Sequence, residues 1–194
     1  MAIILITGPS RSGKSEWAEQ LAVQMAARAD QQVIYVATAR AMATDAEWCD
    51  RIRKHQQRRP ASWQLKEIPV ELAHLLTNAA ATDCYLIDSL GTWLANLIEQ
   101  DDEQWAHSQQ QLLQALAKTT ATVIMVAEET GWGVVPPYEL GRRFRARLGH
   151  LSRLMGELAD DVYLVTSGYA VNLSTLGQRV RGITSSSAEI SRPI

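Results

Sequence analysis

The sequence predicts an α/β fold with a mostly parallel central sheet flanked by helices, and three observations lead there. Short apolar runs recur along the chain with helical segments between them, the alternation expected of α/β architecture. These runs are nearly all apolar rather than alternating with polar residues, so both faces of each strand are expected to be covered, as in a parallel sheet. The first run passes directly into a glycine-rich turn and then a helix.

The strands are expected at Ile3 to Ile6, Val33 to Ala37, Tyr85 to Ile87, Val123 to Val126 and Val162 to Val165. Helical signals lie between them at Ser15 to Arg28, Ala46 to Gln57, Val70 to Thr77, Glu103 to Lys118 and Tyr138 to Ala159. Pro69 suits the first turn of the third helix, where a missing N–H costs nothing. Thr44 and Asp45 can cap the second, and Pro60 closes the region after it. With 194 residues and no internal repeat, a single domain over residues 1–178 is expected. Residues 179–194 are Ser-rich, contain Pro193 and lack periodicity, so they are expected to be a polar C-terminal extension.

Composition narrows the function. The chain is 46% hydrophobic and 21% charged, with a net charge of -2, which fits a folded globular domain and gives no global positive field for coating nucleic acid or an anionic membrane. The two cysteines, Cys49 and Cys84, are too few for a disulfide framework or a four-cysteine zinc site, and they fit a reducing compartment. The apolar run at the N-terminus is four residues long with no basic region before it, unlike a signal peptide. No run approaches the roughly 20 apolar residues of a membrane span, so a cytoplasmic protein is expected.

The strongest chemical signal is Gly8-Pro9-Ser10-Arg11-Ser12-Gly13-Lys14-Ser15, a complete G-x-x-x-x-G-K-S between the first strand and the first helix. Its glycines allow a tight turn, successive N–H groups point inward at phosphate oxygens, and the helix adds its positive end. The fold is therefore expected to be phosphate-loop NTPase-like, with Lys14 reaching the β- and γ-phosphates and Ser15 holding Mg²⁺. Asp88 ends a buried strand, where open α/β sheets place their ligands, and is the candidate second Mg²⁺ residue. Its competing reading is a cap for a helix starting near Thr92, a role Ser89 could equally fill.

Two basic clusters stand out against the near-neutral chain: Arg51, Arg53, Lys54, Arg58 and Arg59, and Arg142, Arg143, Arg145, Arg147 and Arg153. Each reads either as a solvated helix face or as a bidentate phosphate site. His55, inside the first cluster, reads either as a core-edge histidine or as a nucleophile for a nucleotidyl group, and spacing alone favours the former. No histidine pair has zinc-ligand spacing.

The residues then converge on a resemblance. The run from Ile6 to Ser15, Tyr35-Val-Ala-Thr38, Arg51-Ile-Arg-Lys-His55-Gln-Gln-Arg-Arg59-Pro60 with Trp63 and Glu67, and Asp88-Ser-Leu followed by Trp93-Leu-Ala-Asn96 are one half of it. Glu129-Thr-Gly131-Trp-Gly133-Val-Val135-Pro136, with Arg142 and Phe144-Arg145, and Asp161-Val-Tyr-Leu-Val165 are the other. Over roughly residues 2–172 the chain resembles the bifunctional adenosylcobinamide kinase/adenosylcobinamide-phosphate guanylyltransferases of cobalamin biosynthesis. The resemblance implies phosphorylation of adenosylcobinamide by ATP or GTP, then transfer of GMP from GTP to the new phosphate through a covalent GMP-histidine intermediate.

The histidine at the matching position is His55, which reverses the reading from spacing. By the same matching, Gly8 to Ser15, Thr38, Ala39, Arg40, Gln56, Gln57, Arg58, Arg59, Glu67 and Asp88 would contact the guanine nucleotide. A homotrimer is also implied, with corrinoid and nucleoside triphosphates as its small-molecule partners. Four positions depart from the family pattern: Glu128 stands where Asn is usual, Ala146 where Asp is, Ser152 where Asn is, and Lys54 where some members carry a second histidine. Two other readings stand beside this one: a phosphate-loop kinase acting on a different alcohol, and a GTP-binding protein without catalysis.

Overall fold

The computed structural model describes residues 1–40 and 59–180. Its strands are β1 (Ile3–Gly8), β2 (Gln32–Ala37), β3 (Gln64–Glu67), β4 (Asp83–Asp88), β5 (Thr122–Glu128), β6 (Asp161–Thr166) and β7 (Tyr169–Asn172). Between them lie α1 (Lys14–Ala29), α2 (Leu72–Thr77), α3 (Leu90–Asn96), α4 (Asp102–Lys118), α5 (Glu139–Leu158) and the single turn α6 (Leu173–Leu176). The strands form one sheet in the order β3-β2-β4-β5-β1-β6-β7. Every pairing is parallel except β6 with β7. The α/β, mostly parallel arrangement expected from the apolar runs is the one observed.

Alternation along the strands splits the core in two. Ile4, Ile6, Val33, Tyr35, Cys84, Leu86, Ile124 and Val126 face α1 and bury its Ala18, Leu21, Ala22 and Ala26. Ile3, Leu5, Ile34, Val36, Tyr85, Ile87, Val123 and Met125 face the other way, against α2 to α5. Each interior strand is thus covered on both sides, which is why its sequence shows no polar alternation.

Where the elements differ from expectation, tertiary contacts account for it. The edge strand β3 is Gln-Leu-Lys-Glu and largely exposed, so it carries no apolar run; pairing with β2 defines it. Strand β7 closes a hairpin through Ser167 and Gly168, both at positive φ (51° and 79°), the geometry that matches strand twist. The third helix starts at Leu72 rather than Val70. The Asn96 amide donates to the Pro69 carbonyl (2.9 Å) and the Trp93 indole to the Val70 carbonyl (2.7 Å), which holds Pro69 and Val70 out of the helix. The second expected helix lies at 46–57, outside the described residues.

A candidate nucleotide site at the carboxyl ends of the strands

Parallel pairing brings the carboxyl ends of six strands to one edge. Gly8 is in register with Glu128, Ala37 with both Glu67 and Asp88, and Asp88 with Val126. Residues far apart in sequence therefore line one rim, the place where open parallel sheets bind ligands. Gly8 to Ser15, Thr38, Ala39, Arg40, Glu67 and Asp88 all stand at or just beyond this rim. His55, Gln56, Gln57 and Arg58 lie outside the described residues, while Arg59 is described.

The turn from β1 to α1 has the geometry its glycines suggest. Gly13 is the N-cap of α1 at φ 96°, a backbone that a side chain would strain. A Cβ on Gly8 would collide with the Val165 carbonyl of β6 and stand 3.0 Å from Ser12 Oγ. That hydroxyl is buried and has no hydrogen-bond partner, an arrangement that costs free energy unless a ligand supplies one. Lys14, itself buried, bridges the loop by donating to the Pro9 carbonyl at 3.0 Å. An orphaned hydroxyl and a buried ammonium at a helix N-terminus together suit phosphate.

Asp88 sits two strands from the loop, with β5 between. Continuing the alternation of Cys84 and Leu86, it faces the α1 side, where its Oδ2 accepts from the Tyr35 hydroxyl at 2.9 Å. Burial first, then the Asp88 carboxylate, holds that hydroxyl well above the usual tyrosine range, while the Arg59 cation opposes the shift. Tyr35 is thus a permanent donor to Asp88. The Arg59 guanidinium lies over the Tyr35 ring, 4.0 Å from its centre, which carries the end of the first basic cluster to the same rim.

The corner after Asp88 is held by bonds that join separate strands and loops. Ser89, not Asp88, caps α3, accepting from the Thr92 amide at 3.2 Å. Thr38 Oγ1 donates to the Ser89 carbonyl (2.8 Å) and accepts from its amide (2.9 Å), while Asn96 donates to the Thr38 carbonyl (2.7 Å). From β5, Glu128 accepts from the Ser89 hydroxyl (2.6 Å) and the Gly91 amide (3.0 Å). A Cβ on Gly91 would occupy the Glu128 carboxylate's position, so glycine and glutamate fit as a pair. The signal for the Tyr35 bond was a phenol in an otherwise apolar strand; Glu128 stood out as a departure from the family pattern, but nothing local pointed to its bonds with Ser89 and Gly91.

Oxygen donors dominate the rim. Among the described residues no cluster of three or more His, Cys, Asp or Glu could cage a metal. The Ser15 hydroxyl and the Asp88 carboxylate instead suit Mg²⁺, which binds through few protein oxygens and completes its shell with phosphates and water.

The second basic cluster is tied into the fold. Arg147 is buried, donates to the Ile98 and Gln100 carbonyls and to Asp102, and stacks on Trp105. Arg142 donates to the Pro136 and Pro137 carbonyls, and Arg145 to those of Gly131 and Gly133. Arg143 and Arg153 form i,i+4 pairs with Glu139 and Glu157. These five arginines hold α5 to its neighbouring loops or brace its own surface.

Comparison with known proteins agrees with this geometry. The chain is 40% identical over 171 residues to the bifunctional adenosylcobalamin biosynthesis protein CobP of Pseudomonas aeruginosa, covering 87% of this chain and 95% of that protein. It is 34% identical over 186 residues to the CobU protein of the same description from Salmonella typhimurium, covering 88% and 99%. Among solved structures it is similar to an ATPase domain (TM-score 0.50, 12% identity, 84% of this chain and 68% of that one). It is also similar to the PH0250 protein of Pyrococcus horikoshii OT3 (TM-score 0.53, 8% identity, 89% and 85%). These likenesses speak to the phosphate-loop NTPase-like fold alone. The CobU family model, described as cobinamide kinase / cobinamide phosphate guanyltransferase, matches residues 4–173. With that match spanning the sheet, the phosphate loop and the Asp88 corner, the chain belongs to the cobinamide kinase/cobinamide phosphate guanyltransferase family of enzymes.

Proposed function

We propose that this protein phosphorylates adenosylcobinamide with ATP or GTP and then transfers GMP from GTP to the new phosphate, giving adenosylcobinamide-GDP. The observation that carries the reading is the phosphate loop, with its buried Lys14 and orphaned Ser12 hydroxyl, inside a chain that matches the family over residues 4–173.

In the kinase half, the alcohol oxygen of adenosylcobinamide bonds to the γ-phosphorus and gives up its proton to solvent, the bond to the β–γ bridging oxygen breaks, and the nucleoside diphosphate leaves. The protein's share is positioning and electrostatics. Loop amides cradle the phosphates, Lys14 neutralises charge on the transferring group, and Ser15 and Asp88 hold Mg²⁺. That ion, when bound, supplies positive charge to the phosphate oxygens. Tyr35 fixes the direction of Asp88.

In the transferase half, a His55 ring nitrogen bonds to the α-phosphorus of GTP and pyrophosphate leaves. A phosphate oxygen of adenosylcobinamide phosphate then attacks the same phosphorus and the N–P bond breaks, restoring the imidazole. Two displacements replace one difficult one. Thr38, Ala39, Arg40, Gln56 to Arg59 and Glu67 contact the guanine nucleotide, and a homotrimer belongs to the same reading.

The test is incubation with Mg²⁺ and α-labelled GTP, followed by denaturation and mapping of acid-labile label. Label is expected on His55. His55→Ala should lose GMP transfer by at least about 10³-fold while keeping phosphorylation, and Lys14→Ala should depress both halves. Full GMP transfer by the His55 variant would exclude the covalent role.

A further inference from the structure

The segment that follows β5 exposes apolar side chains for which the fold has no use. Trp132 is 64% and Val134 95% exposed, with Val135 and Tyr138 also facing out. Trp132 is the one exposed tryptophan among the described residues. Exposed large apolar side chains gathered in one short segment mark a binding surface.

The loop is nonetheless built. Arg145 ties down the Gly131 and Gly133 carbonyls and Arg142 those of Pro136 and Pro137. Pro136 and Tyr138 pack onto Gly141 so closely that a Cβ there would stand 2.8 Å and 2.5 Å from them. Two consecutive prolines further restrict the backbone. The apolar groups are presented in a fixed arrangement, which lowers the ordering cost of binding.

Its position says what it presents them to. The Glu129 amide donates to the Gly8 carbonyl at 2.8 Å, and Gly8 is the first residue of the phosphate loop, so the segment is rooted beside the place where a phosphoryl group would be handed over. Arg142 and Arg145 bond neutral carbonyls, and among the described residues neither is ion-paired with a carboxylate. Positive charge therefore remains at the foot of an apolar face.

We infer that residues 130–141 are the acceptor platform, on which Trp132 and Val134 cover apolar carbon surface of the corrinoid while Arg142 and Arg145 attract the phosphate it acquires. This rests on the reading that the chain acts on a corrinoid. Charge complementarity to a phosphorylated macrocycle, and the root at Gly8, favour that occupant over a second copy of this chain.

The test measures binding of adenosylcobinamide and of GTP to the full chain, as wild type, as the double variant Trp132→Ala/Val134→Ser, and as Leu176→Ser, an exposed apolar change in the turn after the edge strand β7. The double variant should bind the corrinoid about tenfold or more weakly with GTP affinity and melting temperature unchanged, and Leu176→Ser should match wild type. Adenosylcobinamide phosphate should bind wild type more tightly than adenosylcobinamide at low salt, the gap closing as salt rises. Equal corrinoid affinity in wild type and the double variant overturns the platform, as does loss of self-association in sedimentation with corrinoid affinity intact, which assigns the face to a second copy. Equal affinity for the two corrinoids at low salt overturns the part given to the arginines. A wild type that binds GTP but no corrinoid overturns the functional reading and the platform together.

Discussion

A single methyl group at Gly8 would meet the Val165 carbonyl, so Gly8→Ala should displace the start of the phosphate loop. Nucleotide affinity is expected to fall about tenfold or more with little change in far-ultraviolet circular dichroism, checked by calorimetric titration of GTP. Titration chemistry gives a second expectation. Burial pushes the Cys84 thiol up to about 11 from an ordinary 9.0, and burial with neighbouring carboxylates raises Tyr35 and Tyr85 as well. In the unfolded chain these groups ionise at lower pH, so above about pH 9 the folded state binds more protons than the unfolded one. Stability should be flat in these groups below about pH 9 and fall between about pH 9 and 11 through Cys84, the tyrosines adding to the loss above about pH 10. Urea midpoints at about pH 7.5 and 10.5 check this, and Cys84→Val should remove the thiol's part of the drop. An unchanged midpoint would contradict it.

Within α5, arginines that read as one basic stripe divide by burial. Arg147 satisfies two backbone carbonyls and Asp102 from a buried position, whereas Arg153 pairs with Glu157 in solvent. Arg147→Met should cost about 2 kcal/mol, because the Ile98 and Gln100 carbonyls lose their donor, and Arg153→Met no more than about 0.5 kcal/mol. Denaturant melts of both variants measure the difference. The same helix shows why charge runs are hard to read: spacing puts arginines on a face, but which carbonyls await them depends on loops elsewhere in the chain. Interior strands such as β4 were legible because both faces demand apolar residues; the edge strand β3 was not, since one neighbour and one open side ask for little.

Across the molecule, β5 separates β1 from β4, and this brings Glu128 beside Gly8 and against Ser89 at once. The far end of the fold is closed by Arg179, which donates to the Glu157 and Ala159 carbonyls at the end of α5. We expect a chain ending after Val180 to keep its melting temperature within about 2 °C and its nucleotide affinity, because those bonds survive. Arg179→Ala in the full chain should cost about 1 kcal/mol. Differential scanning calorimetry of the two chains tests both, and a large loss on truncation would assign residues 181–194 a part in the fold. Among the described residues no helix is long and apolar enough to cross a membrane.

What could be read before any fold was known is what local chemistry repeats: apolar runs that demand two covered faces, and a glycine spacing that makes a phosphate cradle next to a strand. The places of Lys14, Ser15 and Asp88 at the strand ends were legible for that reason, each lying within or directly after such a pattern. The Tyr35 hydroxyl on Asp88, the Thr38 and Glu128 bonds to Ser89, and the Arg59 stack on Tyr35 were not, because each joins residues from different strands or loops. Strand order decides which side chains share an edge, and that order comes from long-range packing of the sheet rather than from any stretch of sequence.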